Sequence, residues 1–234
     1  METRKINFTS RSMPWSHFGT DISDCCSVTQ ALDKSGLNWN VRQASVQSVE
    51  PVPTFAEGFK LNIRNSDDMP LGIVKDRYRV IQNREAFAFT DSLAEEGVQF
   101  QQAGQLQNGR KVWILAKLPE KYIIAGDSVS PYLLFINSHD GSTGIRIAMT
   151  PVRVVCCNML NLALRKASRS WSSIHAGDIS KKLQDARMTL LNAYTYMESL
   201  GREIENLNRH YLTSGDIVAL TDFLLPIDES MSDL

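Results

Sequence analysis

Between Gly144 and Ser170 the chain carries its most continuous apolar run, Val152 to Leu164, interrupted only by Arg153, Asn158 and Asn161. The same stretch lies in the longest acid-free window of the protein. No Asp or Glu occurs between Asp140 and Asp178, whereas Arg146, Arg153, Arg165, Lys166 and Arg169 do. A core element and a cationic surface are therefore written into one segment. Thr150-Pro151 reads as an N-cap followed by proline at the first helical position. A helix from there to about Lys166 gathers Arg153, Asn158, Asn161, Arg165 and Arg169 into one narrow polar stripe on an otherwise buried cylinder. The β-branched Val152, Val154 and Val155 could instead prolong the preceding strand. The Thr-Pro start and the pattern from Asn158 to Leu164 favour the helix.

The residues ahead of this stretch read as an antiparallel sheet. Pro131 to Asn137 and Gly144 to Met149 are strands, and the loop between them carries Asp140-Gly141, a hairpin signal. Val112 to Leu118 is a strand ended by Pro119, and Tyr122 to Ala125 a second, shorter one. Phe100, Ala103 and Leu106 lead into Gln107-Asn108-Gly109-Arg110, where Asn-Gly marks a tight turn. Nearer the N-terminus, Ser27 to Ser35 reads as a short helix stopped by Gly36. Trp39, Val41 and Val46 alternate. So do Phe59, Leu61 and Ile63 against Lys60, Asn62 and Arg64, which predicts a half-exposed strand with the apolar set inward. Leu71 to Val74 and Tyr78 to Ile81 read as two short strands around a Lys75-Asp76-Arg77 turn. Asn83 then caps a helix that Gly97 ends.

Asp178 can cap a helix from Ile179 to about Tyr211. Its apolar positions are Ile179, Leu183, Ala186, Leu190, Ala193, Met197, Leu200, Ile204, Leu207 and Tyr211, spaced alternately four and three apart. That is a sustained heptad seam. Such a helix would be about 50 Å long and must pack on a second helix, the sheet or a neighbouring subunit. Thr213 to Asp216 resembles a capping box ahead of a short helix that stops at Pro226.

The chain has 234 residues, 43% of them apolar, and a formal net charge of −1. This suffices for one core with an accessory helical part, or for two small domains. The expected layout is an arm over residues 1–20, an α+β core over 21–177 and a helical region over 178–234. The expected fold class is α+β: an antiparallel sheet with a helix packed across it, then a long C-terminal helix. The small net charge excludes a uniformly basic coating protein, so a polyanion surface has to come from local charge segregation. The four cysteines are two adjacent pairs, Cys25-Cys26 and Cys156-Cys157. Neither has zinc or redox spacing, and reduced thiols in a cytoplasmic protein are expected. The N-terminal segment lacks the apolar stretch of a signal peptide, and no run reaches the ~20 apolar residues of a membrane span.

The functional expectation rests on cations. Arginines along the edge of a helix laid across a sheet line a groove in which phosphates can be held, while an aromatic such as Trp171 or Tyr132 stacks a base. Arg146, Arg153, Arg165, Lys166 and Arg169 form the first group of candidate phosphate ligands, and Lys75, Arg77 and Arg79 a second. The bland alternative is that the arginines merely solvate the edge of a buried helix and that the charged turn is simply exposed. Catalytic readings are weaker. His139-Asp140 could be an acid–base pair but has no nucleophile partner. The four histidines are scattered, and no metal-ligand spacing or nucleotide-binding motif occurs. No catalytic residue, cofactor or metal is expected.

Three stretches together carry a resemblance. They are Leu71-Gly72-Ile73-Val74 with Tyr78 to Phe87; Ile145 to Cys156 with Asn158, containing a Thr-Pro-x-Arg-x-x-Cys-x-Asn pattern; and the helix after His175. Over roughly Trp39 to Leu225 the chain resembles the phage/plasmid-like family of unknown-function domains carried on mobile elements. The family implies no catalytic residue. In layout, the hairpin, further strand and crossing helix are similar to the core of phage single-strand annealing proteins, the Red-beta-like and Erf-like recombination proteins. That likeness implies an ATP-independent protein that binds single-stranded DNA, anneals strands and forms a ring or helical homo-oligomer. The alternative from a different class is a protein-binding module of a mobile element, acting for example on host defence, with the heptad helix as its docking surface.

Overall fold

The structure is a computed structural model, and it describes residues 19–95, 97–124, 126–150, 170–173, 193–207 and 209–224. In chain order the strands are β1 (Thr20–Asp21), β2 (Val41–Gln47), β3 (Phe55–Arg64), β4 (Pro70–Lys75), β5 (Gln99–Leu106), β6 (Lys111–Lys117), β7 (Tyr122–Ile124), β8 (Asp127–Val129), β9 (Tyr132–Ser138), β10 (Ile145–Thr150) and β11 (Ser170–Ser173). The helices are α1 (Val28–Lys34), α2 (Asn83–Phe87), α3 (Thr90–Glu95), α4 (Ala193–Leu207) and α5 (Ser214–Leu224). The fold is α+β and its sheets are antiparallel. A six-stranded sheet has the order β1-β5-β6-β9-β10-β11, a three-stranded sheet the order β2-β3-β4, and β7-β8 is a separate hairpin.

The central strands are those whose sequences are apolar on both faces. In β6 the run Val112 to Ala116 is buried throughout, and in β9 so is Leu133 to Ser138. One face of the large sheet presents Val112, Ile114, Ala116, Leu133, Phe135, Ile145, Ile147 and Met149 to the main core, shared with α1 and α2. The other face buries Trp113, Leu115, Leu134 and Ile136. Trp113 fits flat against its strand neighbour because that neighbour is Gly104. A Cβ there would lie 2.7 Å from the indole. The Asn-Gly turn closes β5 to β6 as expected, with Asn108 and Gly109 both at positive φ, and β9 and β10 form the expected hairpin around Asp140-Gly141.

Local chemistry fixes the shorter elements. The Ser27 hydroxyl accepts from the Gln30 amide at 3.3 Å, and the Asp91 carboxylate accepts from the Val28 amide at 2.6 Å, so the first turn of α1 is capped twice. Three expectations fail next to it. Tyr78 to Ile81 is not a strand; instead the Gln82 side chain takes the role of one. Its oxygen accepts from the Val41 amide at 2.8 Å and its nitrogen donates to the Val41 carbonyl at 2.9 Å, closing part of the β2 edge. Asn83 is not the N-cap: Gln82 is, and Asn83 lies buried inside α2. The helix expected to run on to Gly97 is two, α2 and α3, with the Thr90 hydroxyl donating to the Phe87 carbonyl at the break.

The crossing helix expected from Pro151 falls outside the described residues, as does the N-terminal half of the long helix. Its described part, α4, is 15 residues long and ends at Leu207, four residues short of Tyr211. Along α4 the heptad seam turns inward at Met197, is half-buried at Leu200 and Ile204, and is exposed at Leu207. Met197 is buried, and Gly201 sits against Ile124 of the β7-β8 hairpin. Thr213 and Asp216 form the expected capping box at the start of α5, the Thr213 amide donating to the Asp216 carboxylate at 2.8 Å and the Asp216 amide to the Thr213 hydroxyl at 3.2 Å.

Candidate nucleic-acid interface

Two sheets meet at the β9-β10 loop, and the chemistry of that contact shapes the site. Alternation along β3 puts Asn62 on the same face as Val74 of β4, and both are buried. The opposite face carries Phe59 and Leu61 of β3 beside Lys75 and Ile73 of β4, with Phe59 opposite Lys75 and Leu61 opposite Ile73 in register. The expected polarity of the strand is thus partly reversed: Asn62 is inside, and Phe59 is 46% and Ile73 58% exposed. The cause lies in the loop. Asn62 donates to the His139 carbonyl at 2.7 Å, a bond that makes burial of an amide favourable. Gly72 lets the Asp140 backbone approach so closely that a Cβ would lie 2.6 Å from the Asp140 Cα.

Beneath this contact runs a buried polar network. Asn137 donates to the Ile81 carbonyl at 3.0 Å and to the Asn83 side-chain oxygen at 3.2 Å, and His139 Nε2 lies 2.9 Å from that same oxygen. The His139 ring is fully buried, 5.2 Å from the Trp39 ring, over which the Arg64 guanidinium sits at 5.3 Å. Arg64 is itself held by Asp67 through two hydrogen bonds, of 2.7 and 2.6 Å. His139 is thus a core residue. Asp140 turns to its own loop, accepting from the Ser138 hydroxyl at 2.6 Å and the Ser142 amide at 2.8 Å. Burial alone would raise its carboxyl, but those hydrogen bonds, with Lys111 nearby, outweigh it and hold the group below the usual carboxylate range. The Tyr78 hydroxyl donates to the Ser138 carbonyl at 2.7 Å, and burial, reinforced by Asp140, pushes the phenol far above its usual range.

The outer side of this junction is a groove of about 640 Å³. One wall is β4 and the turn after it, with Phe59, Ile73, Lys75, Arg77 and Tyr78; the other is the loop from Asp140 to Gly144. Among the described residues neither Lys75 nor Arg77 makes an ion pair, whereas Arg79 lies 3.4 Å from Glu85 and is not among the groove-lining residues. Of the second cationic group the fold therefore brings Lys75 and Arg77 together and diverts Arg79. Of the first group, Arg146 is half-buried in β10, opposite Ile136 and Ser172 in register. Arg153, Arg165, Lys166 and Arg169 lie outside the described residues. Trp171 is placed in β11 opposite Ile147, with its side chain outside the description. Tyr132 packs half-buried against the Trp113 cluster. Phe59, Ile73 and Tyr78 escape a sequence reading because their exposure depends on which face the loop covers. The one legible hint was Phe59-Lys60 followed by Asn62 in a strand.

Among the described residues no group of histidine, cysteine or acidic side chains could hold a metal ion, and no helix is long and apolar enough to cross a membrane. Cys25 and Cys26 are free thiols. An α+β domain with a cationic, aromatic-edged groove at the junction of two antiparallel sheets is the class that fold and site define. The chain belongs to a family of domains of unknown function, DUF932, whose model matches residues 70–233. The match takes in both the β4 wall and the β9-β10 loop, while β1 to β3 precede it. No curated protein and no solved structure shows a significant match to the chain.

Proposed function

We propose that this protein binds single-stranded DNA and, as a homo-oligomer, anneals complementary strands without ATP, in the setting of a phage or plasmid. The observation that supports this reading is the groove. Lys75 and Arg77 converge on it without carboxylate partners among the described residues, and aromatic and apolar side chains edge it. A single strand offers phosphates to the cations and bases to the apolar edge. This reading is preferred to acid–base chemistry at His139-Asp140, since His139 lies in the core and Asp140 is bonded to its own loop. The test is binding of a fluorescent oligonucleotide across a salt series, with oligomer mass recorded alongside. The expected result is affinity that falls steeply with salt. Lys75→Glu with Arg77→Glu should weaken it at least tenfold at low salt and flatten the logarithmic slope by about 0.7 per lost phosphate contact. Charge reversal at Arg153 and Arg165 should do the same if the first group shares the strand. No binding at low salt would overturn the reading.

One observation favours the second reading, a protein-binding module. On α5, Ile217, Val218, Leu220 and Phe223 are exposed, the last at 81%, and Tyr211 and Leu212 precede them exposed as well. Contiguous apolar exposure of this kind is typical of a docking surface. It moves the proposed surface from the heptad seam, which is turned inward at Met197, to α5. A partner held this way would bind independently of salt.

A further inference from the structure

The outward face of the three-stranded sheet continues the groove past the edge of β4. Its members are set by register. Phe59 stands directly opposite Lys75, Leu61 directly opposite Ile73, and the face behind them, with Asn62 and Val74, is closed by the β9-β10 loop. An aromatic ring is thus fixed on a strand rather than a mobile loop, nearly half exposed, with an ammonium on the adjacent strand and a guanidinium two residues beyond it. Side chains directly opposite across an antiparallel pair lie about 5 Å apart at Cβ. That separation lets one nucleotide put its base on the ring and its phosphate on the lysine. The acidic side chain lining the groove, Asp140, is bonded to Ser138 and Ser142.

We propose that Phe59, backed by Ile73, is the base-stacking platform of this protein, and that Lys75 and Arg77 hold the phosphates flanking the stacked base. The ligand class is single-stranded nucleic acid with unpaired bases, recognised with little regard to sequence, because every base has a face to stack and the cations read only the backbone. A duplex, whose bases are already stacked on one another, has none to offer. The proposal rests on the single-strand reading above and assigns the stacking role to Phe59, where the sequence suggested Trp171 or Tyr132.

The experiment compares the full chain with Phe59→Ala, Phe59→Trp and Lys75→Glu/Arg77→Glu. The probe is a mixed-sequence single strand carrying 5-iododeoxyuridine for photo-crosslinking, with the matching duplex as competitor. Phe59 is half exposed, so its variants should fold, and circular dichroism checks that. The expected result is a five- to hundredfold loss of affinity for Phe59→Ala with the salt slope unchanged. Phe59→Trp should retain binding, the charge-reversed variant should lose both affinity and slope, and the crosslink should map to the peptide containing Phe59. If wild-type protein binds the single strand while Phe59→Ala binds equally well, or the crosslink maps elsewhere, the platform is overturned and the single-strand reading stands. Preference for the duplex would also overturn the platform. If wild-type protein binds no strand at low salt, both fall together.

Discussion

Gly72 shows how much can depend on one absent methyl group. The β9-β10 loop reaches the small sheet only because the Asp140 backbone can lie against the Gly72 Cα. Backbone, unlike a flexible side chain, cannot step aside. Gly72→Ala should therefore cost about 1–3 kcal/mol, the usual cost of overpacking, or roughly 2–12 °C in Tm for a chain of this size. A thermal melt checks it, and a groove widened at the Asp140 wall should also bind an oligonucleotide more weakly. Asn62 is the complementary case. A strand read by alternation hides its apolar side chains, and Phe59, Leu61, Ile63 against Lys60, Asn62, Arg64 reads that way. The carbonyl that satisfies Asn62 is 77 residues distant, so nothing local announces that the amide goes inside and the phenylalanine out.

At the scale of elements, patterns that close on themselves were legible. The β5-β6 turn, the β9-β10 hairpin, α1 and the α5 capping box each carry their signal within a few residues. Where a side chain replaced backbone pairing, reading failed. Tyr78 to Ile81 looked like a strand, but the β2 edge it might have paired is met by Gln82 instead. Gln82→Ala should leave the Val41 amide and carbonyl exposed to water at a cost of about 1 kcal/mol. Hydrogen exchange at Val41 is the measurement: it should quicken, while exchange in β6 and β9 stays slow. The heptad seam is a related lesson. Within the described part, the neighbour of Met197 and Gly201 is the β7-β8 hairpin of the same chain, a choice that periodicity cannot make.

For the molecule as a whole, acid should be the revealing variable. Asp140 is held below its ordinary range in the folded state. A depressed carboxyl contributes stability that is full above its unfolded pKa, about 3.9, and is lost as pH falls through the lower folded value. Asp24 and Asp67 are shifted the same way, by Lys34 and Arg64, and Asp216 by Thr213. Their exposure lets solvent screen much of the effect. The expected outcome is that the stability difference between wild type and Asp140→Asn shrinks as pH is lowered below about 4, measured by denaturant unfolding at several pH values. A constant difference would show that the carboxylate charge does not fasten the loop.

Sequence alone determined the class of fold, the central strands, two turns and the cations available for a polyanion, because each depends on the residue and its near neighbours. It also showed where charge was segregated along the chain. Tertiary structure decided which cations share a groove. Lys75 and Arg77 line the groove beside the β9-β10 loop, while Arg79 turns to Glu85, although the three lie within five consecutive residues. Structure likewise decided which face of β3 meets water. A sheet face becomes inside or outside only when a distant segment covers it, and here one loop, bonded to Asn62 and admitted by Gly72, made that choice.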